Sequence, residues 1–305
     1  MQENFFRGED AIQVMLARTV QRTLSIVGAG RVGKALGRRL RDHGWQIRSV
    51  VTRSTSTARA AVRVIGAGVP STKPTLDVLA ADLMLLTVPD DALAAVAQSI
   101  AKLTGRTWRG KIVLHTSATL DRSALSSLAR CGAATGSLHP MQAFGGKIVP
   151  NLKGMIFGIE GDTKACRVAQ SIAKSLGGVP VVIETRNKPI YHAAAVIAAG
   201  SMYPAIEAGL HLLTRIGFTR ARATQTLLPL ARQILDNIER IGPRAAWTGP
   251  LSRGDYKIVS KHARALRRYP REIQQAYAAL ALLAGRLLPK NPATAVRQIK
   301  RALKA

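Results

Sequence analysis

The chain of 305 residues is short of acid: 17 Asp and Glu stand against 45 Lys and Arg, a formal net charge of +28. That balance excludes an acidic disordered tail protein and brings nucleic acid, anionic lipid or a phosphorylated ligand into view as partners. Aromatic residues are only 4% of the sequence, too few for the stacking platforms of a single-strand binder. The basic excess is spread evenly: residues 187–305 carry 20 basic and 5 acidic side chains, leaving 25 and 12 for residues 1–186. A dedicated nucleic-acid tail would concentrate its charge, so nucleic acid is not the expected partner. Cysteine is scarce as well. Cys131 and Cys166 have no CxxC spacing, which excludes a disulfide framework and points to a reducing, cytoplasmic setting. Met1–Arg22 holds Glu3, Glu9 and Asp10 and reads as an N-terminal extension, not a signal peptide. No run of 18 uninterrupted apolar residues occurs, so no membrane span is expected.

What is present alternates. TLSIVGAG from Thr23 reads as a strand, RVGKALGRRLRDHG as a helix ending at Gly44, and WQIRSVVTR as a second strand. Further strands are expected at 81–89, 111–115, 137–139, 155–159 and 179–183, with helices between them. Nearly continuous apolar strands separated by helices predict an α/β domain over 23–186, a doubly wound parallel sheet covered on both faces. After Thr185 the period changes. Residues 187–215, 219–241, 255–268, 270–288 and 292–304 all read as helical, which makes 187–305 an all-α domain. Thr219 and Asp255 are the expected N-caps of two of these helices, and Pro270 suits a first turn.

Gly28-Ala29-Gly30-Arg31-Val32-Gly33 is GxGxxG between a strand and a helix, the context in which that motif binds a dinucleotide. Gly28 permits the tight turn, Gly30 a close approach of pyrophosphate, and Gly33 tight helix–strand packing, while the helix N-terminus offers N–H groups to phosphate. The second strand ends Val51-Thr52-Arg53-Ser54-Thr55, without the carboxylate that an NAD site places on the ribose. Arg53 and Ser54 suit a 2′-phosphate instead, which favours NADP(H) over NAD(H). Thr87-Val88-Pro89 closes a buried strand where the nicotinamide crevice should open. Asp90 and Asp91 read as helix-start carboxylates. No cluster of His, Cys and carboxylates has metal spacing.

Five ordered segments, GAGRVGKAL, ADLMLLTVPDDAL, SLHPMQAF, NKPIYHAAAVIAAG and AWTGPLSRGDYKIVSKH, resemble Rossmann-like proteins whose C-terminal part is the domain of unknown function 2520. The wider group includes pyrroline-carboxylate, ketopantoate and β-hydroxyacid reductases, two-domain NAD(P) enzymes with a helical and often dimerising C-terminal domain. The resemblance implies an NADP-dependent oxidoreductase that reduces a small anionic metabolite, a carboxylate-bearing carbonyl or imine such as ketopantoate. It also implies a homodimer, for which the apolar stretch 193–213 offers a face. His139 lies in a His-Pro-Met element like that of prephenate dehydrogenases, with Ser117 at the matching strand end. His139 is therefore a candidate to move the proton that accompanies hydride transfer. Lys188 and His192, four apart, match the Lys and Asn of β-hydroxyacid dehydrogenases and would share one helix face, although Pro189 disfavours helical geometry at Lys188. Arg253 is the candidate for a substrate carboxylate. Eight residues after His192 the family carries Asn where this chain has Gly200. The competing readings are a sensor that binds NADPH without reacting and, from charge alone, a basic nucleic-acid or membrane-surface binder.

Overall fold

The computed structural model describes residues 22–74, 80–103, 108–145 and 148–304. The N-terminal extension, apart from Arg22, lies outside the described residues. The chain divides into two compact units, 1–197 and 198–305.

The first unit is built on eight strands: β1 (Thr23–Val27), β2 (Gln46–Val51), β3 (Val69–Ser71), β4 (Leu83–Leu86), β5 (Ile112–His115), β6 (Ala134–Pro140), β7 (Ile156–Gly161) and β8 (Val179–Val182). Their order in the sheet is β3-β2-β1-β4-β5-β6-β7-β8. The order reverses between β1 and β4, the switch point outside which ligands bind in open α/β sheets. Helices α1 (Arg31–Asp42), α2 (Thr55–Ile65), α3 (Asp90–Ala101), α4 (Ser126–Arg130) and α5 (Thr163–Ser175) connect the strands. Leu24, Ile26, Leu83, Leu85, Ile112 and Leu114 pack on one face. Their neighbours Val27, Met84, Leu86 and Val113 pack on the other. Burial on both faces is why β1, β4 and β5 read as continuous apolar runs.

Two expectations need correction. The sheet is not wholly parallel: β6 and β7 pair antiparallel, and β8 is parallel to β7. The reason lies in the connection. A parallel neighbour demands a crossover, and no helix occurs among the described residues between β6 and β7. The second correction is β3, a three-residue edge strand centred on Pro70 that the apolar pattern passes over. Proline is tolerated there because an edge strand need not donate on both sides.

After β8 comes α6 (Lys188–Ala195), then a π-helical turn, Val196–Gly200. The second unit contains α7 (Met202–Arg215), α8 (Arg220–Ile241), α9 (Tyr256–Leu266), α10 (Arg271–Leu287) and α11 (Pro292–Lys304). Thr219 caps α8 as expected, accepting from Arg222 N–H. Asp255 does not cap α9 with its side chain; its carboxylate takes the Arg253 guanidinium instead, at 3.0 Å. Within this unit the Ser260 hydroxyl donates to the Ala302 carbonyl at 3.0 Å, tying α9 to α11. By length and composition one helical stretch among the described residues, Thr185–Arg215, is apolar enough to cross a membrane, a candidate the uninterrupted-run criterion misses. Its start is anchored in the first unit by Lys188, as described next.

Candidate active site

The carboxyl ends of β1, β2, β4, β5 and β6 lie along one edge of the sheet and carry most of the residues singled out from sequence. At the tip of β1, Gly28 has φ of +84°, and a Cβ there would fall 2.5 Å from Val88 Cγ1. Gly28 N–H donates to Val51 O, and the Thr87 hydroxyl donates to Gly28 O. A Cβ on Gly33 would collide with Thr87 Oγ1 and Gly28 O. Gly30 differs: nothing lies within 4 Å of its would-be Cβ. It is also the N-cap of α1 and offers no side-chain cap to the first N–H groups of that helix. Ala29 and Val32 pack against the core, and Arg31 is exposed. The glycine loop is thus braced by Thr87-Val88 on one side and open at Gly30 on the other, a shape that fits a pyrophosphate.

Beside it, Arg53 is exposed just beyond β2. Ser54 is the N-cap of α2, its oxygen accepting from Thr57 N–H at 3.3 Å. Pro89 is the N-cap of α3, and Asp90 and Asp91 occupy that helix's first turn.

A second group of polar residues gathers around β5, β6 and β7. Lys188 is only 2% exposed, and its Nζ donates to Ser137 Oγ at 2.8 Å. Lys188 is helical (φ −56°, ψ −44°) despite the following proline, so Lys188 and His192 do share α6. Burial pushes the Lys188 ammonium below its ordinary range, while Glu160, Asp121 and Asp90 pull it back up. Glu160 lies across from Ser137 in the β6–β7 register. Its carboxyl is raised by burial, with Lys188 opposing.

His139, near the end of β6, has Nδ1 3.2 Å from the Tyr191 hydroxyl, their rings edge-to-face with centroids 5.7 Å apart. His192 lies edge-on to His139 at 6.2 Å, and its buried Nδ1 has no hydrogen-bond partner. Burial first, then the charges of His192 and Lys188, lower the His139 pKa to about 4. At neutral pH this imidazole is uncharged, able to donate through one nitrogen and accept through the other. Tyr191 is raised by burial, with a backbone hydrogen bond from Gly158 opposing, so its O–H stays protonated.

Ser117 stands at the end of β5 but its hydroxyl is committed. It donates to Asp90 Oδ2 at 2.7 Å and accepts from Leu120 N–H at 3.0 Å and Thr119 N–H at 3.2 Å. Ser117 orders the loop after β5, and its own N–H donates to His115 Nδ1 at 3.2 Å. His115 is fully buried, and burial first, then the Lys188 charge, lower its pKa to about 4. The structure therefore brings together His139, His192 and Lys188 and adds Tyr191, Ser137, Glu160 and His115. Tyr191 adjoins His192 in sequence, so a helix with Lys188, Tyr191 and His192 at i, i+3 and i+4 was the available signal. Glu160 carried none, because only strand pairing brings it to Ser137. Arg253 lies in the second unit, exposed, in its pair with Asp255. Among the described residues no group of three or more His, Cys, Asp or Glu is placed to hold a metal ion.

Known proteins with this architecture are distant in sequence. A Bacteroides fragilis protein given as a candidate NADP oxidoreductase superposes with a TM-score of 0.71 at 22% identity, covering 85% of this chain and 96% of its own. Protein TM1727 from Thermotoga maritima gives 0.65 at 22% identity, with coverages of 92% and 98%. An imine reductase from a Pseudomonas species gives 0.62 at 17% identity, with coverages of 92% and 99%. No curated protein matches the sequence. Two family models match in succession: a Rossmann-like domain over residues 11–140 and the domain of unknown function DUF2520 over residues 155–284. The first reaches into the segment read as an N-terminal extension. The chain thus matches a Rossmann-like model over its first half and a DUF2520 model over most of its second.

Proposed function

We propose that the protein is an NADP(H)-dependent oxidoreductase that reduces a small carboxylate-bearing carbonyl or imine. The observation that carries this reading is the glycine loop, closed on one side by Thr87-Val88 and open at Gly30 over an uncapped helix N-terminus. Arg31, Val32 and Gly33 would give their N–H groups to the pyrophosphate, and Arg53 with Ser54 would meet the 2′-phosphate. NADPH, when bound, supplies the hydride.

The chain's own residues have the remaining tasks. His139, uncharged at neutral pH, donates a hydrogen bond to the carbonyl oxygen or imine nitrogen at which electron density builds. His192 is the second candidate for the proton, with a buried Nδ1 that has no protein partner. Lys188, buried against Ser137, acts as a positive charge beneath the site and adds to the burial that keeps His139 and His115 neutral. Asp90 and Ser117 hold the loop after β5. The excess of basic residues attracts both anions, cofactor and substrate. The solved relatives include a reductive aminase from Aspergillus terreus in complex with NADPH and a pyrroline carboxylate reductase from Plasmodium falciparum with NADP bound, which agrees with this cofactor choice. A second copy of the chain is part of the reading. Ile190, Val196 and Ile197 leave 46–69% of their surface exposed, apolar surface that a homodimer would cover.

The test is a binding and oxidation screen with NADPH and NADH against 2-keto acids, ketopantoate and cyclic imines. NADPH oxidation with one of these classes, abolished in His139→Ala or His192→Ala while NADPH still binds, is the expected result. Full activity in both variants would exclude the assignment of the proton. NADPH binding with no oxidation anywhere in the panel would favour a sensor over an enzyme.

A further inference from the structure

We infer that Gly158 is a positioning residue of this site: by lacking a side chain it seats the Tyr191 phenol against β7, and Tyr191 then fixes which nitrogen of His139 carries the proton. The inference deepens the reductase reading and rests on it for its functional part.

Gly158 lies directly across from His139 in the antiparallel β6–β7 register. It is not among the glycines with positive φ, so its backbone does not call for glycine. The need comes from space. A Cβ at Gly158 would stand 2.7 Å from Tyr191 Oη, 2.9 Å from Cζ and 3.1 Å from Cε1. The first two separations are closer than real Cβ atoms tolerate, and a phenol ring has no flexible end with which to yield. Any side chain here moves Tyr191 off the strand. That seat brings Oη to 3.2 Å from His139 Nδ1 and sets the two rings edge-to-face at 87°.

Either direction satisfies that hydrogen bond, and we assign the phenol as its donor. A protonated phenol has one hydrogen to give, and among the described residues His139 Nδ1 is the only side-chain acceptor bonded to Tyr191. When Tyr191 donates to Nδ1, the neutral imidazole must carry its own hydrogen on Nε2. Nε2 has no protein partner among the described residues, so this N–H is free to donate to a ligand. Gly158 thus acts through Tyr191, and Tyr191 through His139. Neither exchanges a proton with substrate in this arrangement. They decide whether the nitrogen offered to substrate is a donor or a bare acceptor.

The experiment is long-range 1H–15N NMR of the full-length protein, which reads the His139 tautomer without any turnover. The wild type is expected to show a protonated Nε2 and a bare Nδ1. Tyr191→Phe and Gly158→Ala should each shift His139 to a mixture of tautomers. In a reductase assay both should lower kcat by about 10–100-fold with NADPH affinity unchanged. In a Tyr191→Ala background, where the methyl group has room, Gly158→Ala should have no further effect on either readout. A wild-type His139 protonated on Nδ1 would overturn the inference. So would a Gly158→Ala effect of equal size with and without the tyrosine, because that would mark a sheet requirement. Should Gly158→Ala fail to fold, Tyr191→Phe and the Tyr191→Ala pair still decide the matter. Absence of any NADPH oxidation would count against the reductase reading alone, since the tautomer is read independently.

Discussion

Lys188 donates its buried ammonium to Ser137 Oγ at 2.8 Å, with no carboxylate in salt-bridge contact among the described residues. A buried cation held by one hydroxyl is costly unless more distant charges support it. Glu160, Asp121 and Asp90 do so, and in return the lysine lowers His139 and His115. Lys188→Met keeps length and removes charge. We expect the His139 and Glu160 titrations both to move up, since Lys188 now depresses each. NMR titration of the variant checks this, and an unmoved His139 would mean that the lysine is uncharged in the folded protein. Thermal stability should hold or rise, because the lost hydrogen bond is offset by the removed burial of charge.

Acid should destabilise the protein through its buried histidines. His115 titrates at about 4 in the folded state against 6.5 in the unfolded chain. Above pH 6.5 it is neutral in both states and contributes no pH dependence. As pH falls through 6.5 only the unfolded chain takes up the proton, so stability is lost until about pH 4, where the folded state protonates too. The shift corresponds to about 3 kcal/mol for this residue. His139 has the same sign and window. Denaturant melts from pH 8 to pH 4 should be flat at first and then fall steeply. His115→Asn, which keeps an acceptor for Ser117 N–H, should remove about one proton from that slope.

Much of the first unit is legible in the sequence because its central strands are buried on both faces and its glycine loop has a fixed context. Four of the five C-terminal helices begin and end within a few residues of their periodicity, whereas the stretch 187–215 is interrupted by the π-helical turn Val196–Gly200, which the period does not record. The antiparallel β7 was not legible: strand direction depends on the connection that precedes it, which the apolar pattern of Met155–Ile159 does not record. Asp255 illustrates a competition. Its position predicts a cap, but Arg253 two residues earlier offers a charged partner at 3.0 Å and takes the carboxylate. At the site, His139, His192 and Lys188 stand out by chemistry, whereas Gly158 and Glu160 matter only through register. Ser117 was visible, yet only the structure tells that Asp90, Thr119 and Leu120 already use its hydroxyl.

The three glycines of the loop should separate cleanly under substitution by alanine. At Gly33 the new methyl would press on Thr87 Oγ1 and Gly28 O, so the variant should lose about 1–3 kcal/mol of stability. At Gly28 the penalty combines overlap with Val88 and a φ of +84°, and the loss should be at least as large. At Gly30 the methyl enters open space, so the protein should melt as the wild type does. Its affinity for NADPH should nevertheless fall by at least about tenfold, since the backbone approach to pyrophosphate is lost. Calorimetry and NADPH titration distinguish the cases. A Gly30→Ala variant that binds normally would remove the cofactor site from this loop.

The basic excess should show in the stability of the second unit. Residues 256–304 carry 12 Lys and Arg and a single carboxylate, Glu272, and all twelve cations are exposed. None is in a salt bridge among the described residues. On α9, Lys257, Lys261 and Arg264 follow one stripe, and on α11, Arg297, Lys300, Arg301 and Lys304 follow another. Each stripe lies opposite the buried residues of its helix, Val259 and Leu266 on α9, and Ala295, Ile299 and Ala302 on α11. Neighbours on a stripe are three or four residues apart, the spacing at which like charges repel on a helix. Such repulsion opposes folding and is screened over a Debye length of about 30 Å at 0.01 M salt but only about 8 Å at 0.15 M. Tm should therefore rise as sodium chloride increases over that range, the reverse of what a protein held by surface ion pairs would do. Replacing Lys300 and Arg301 by Gln should raise Tm at low salt and change it little at 0.15 M. A Tm that falls with added salt would mean that these charges are paired in solution.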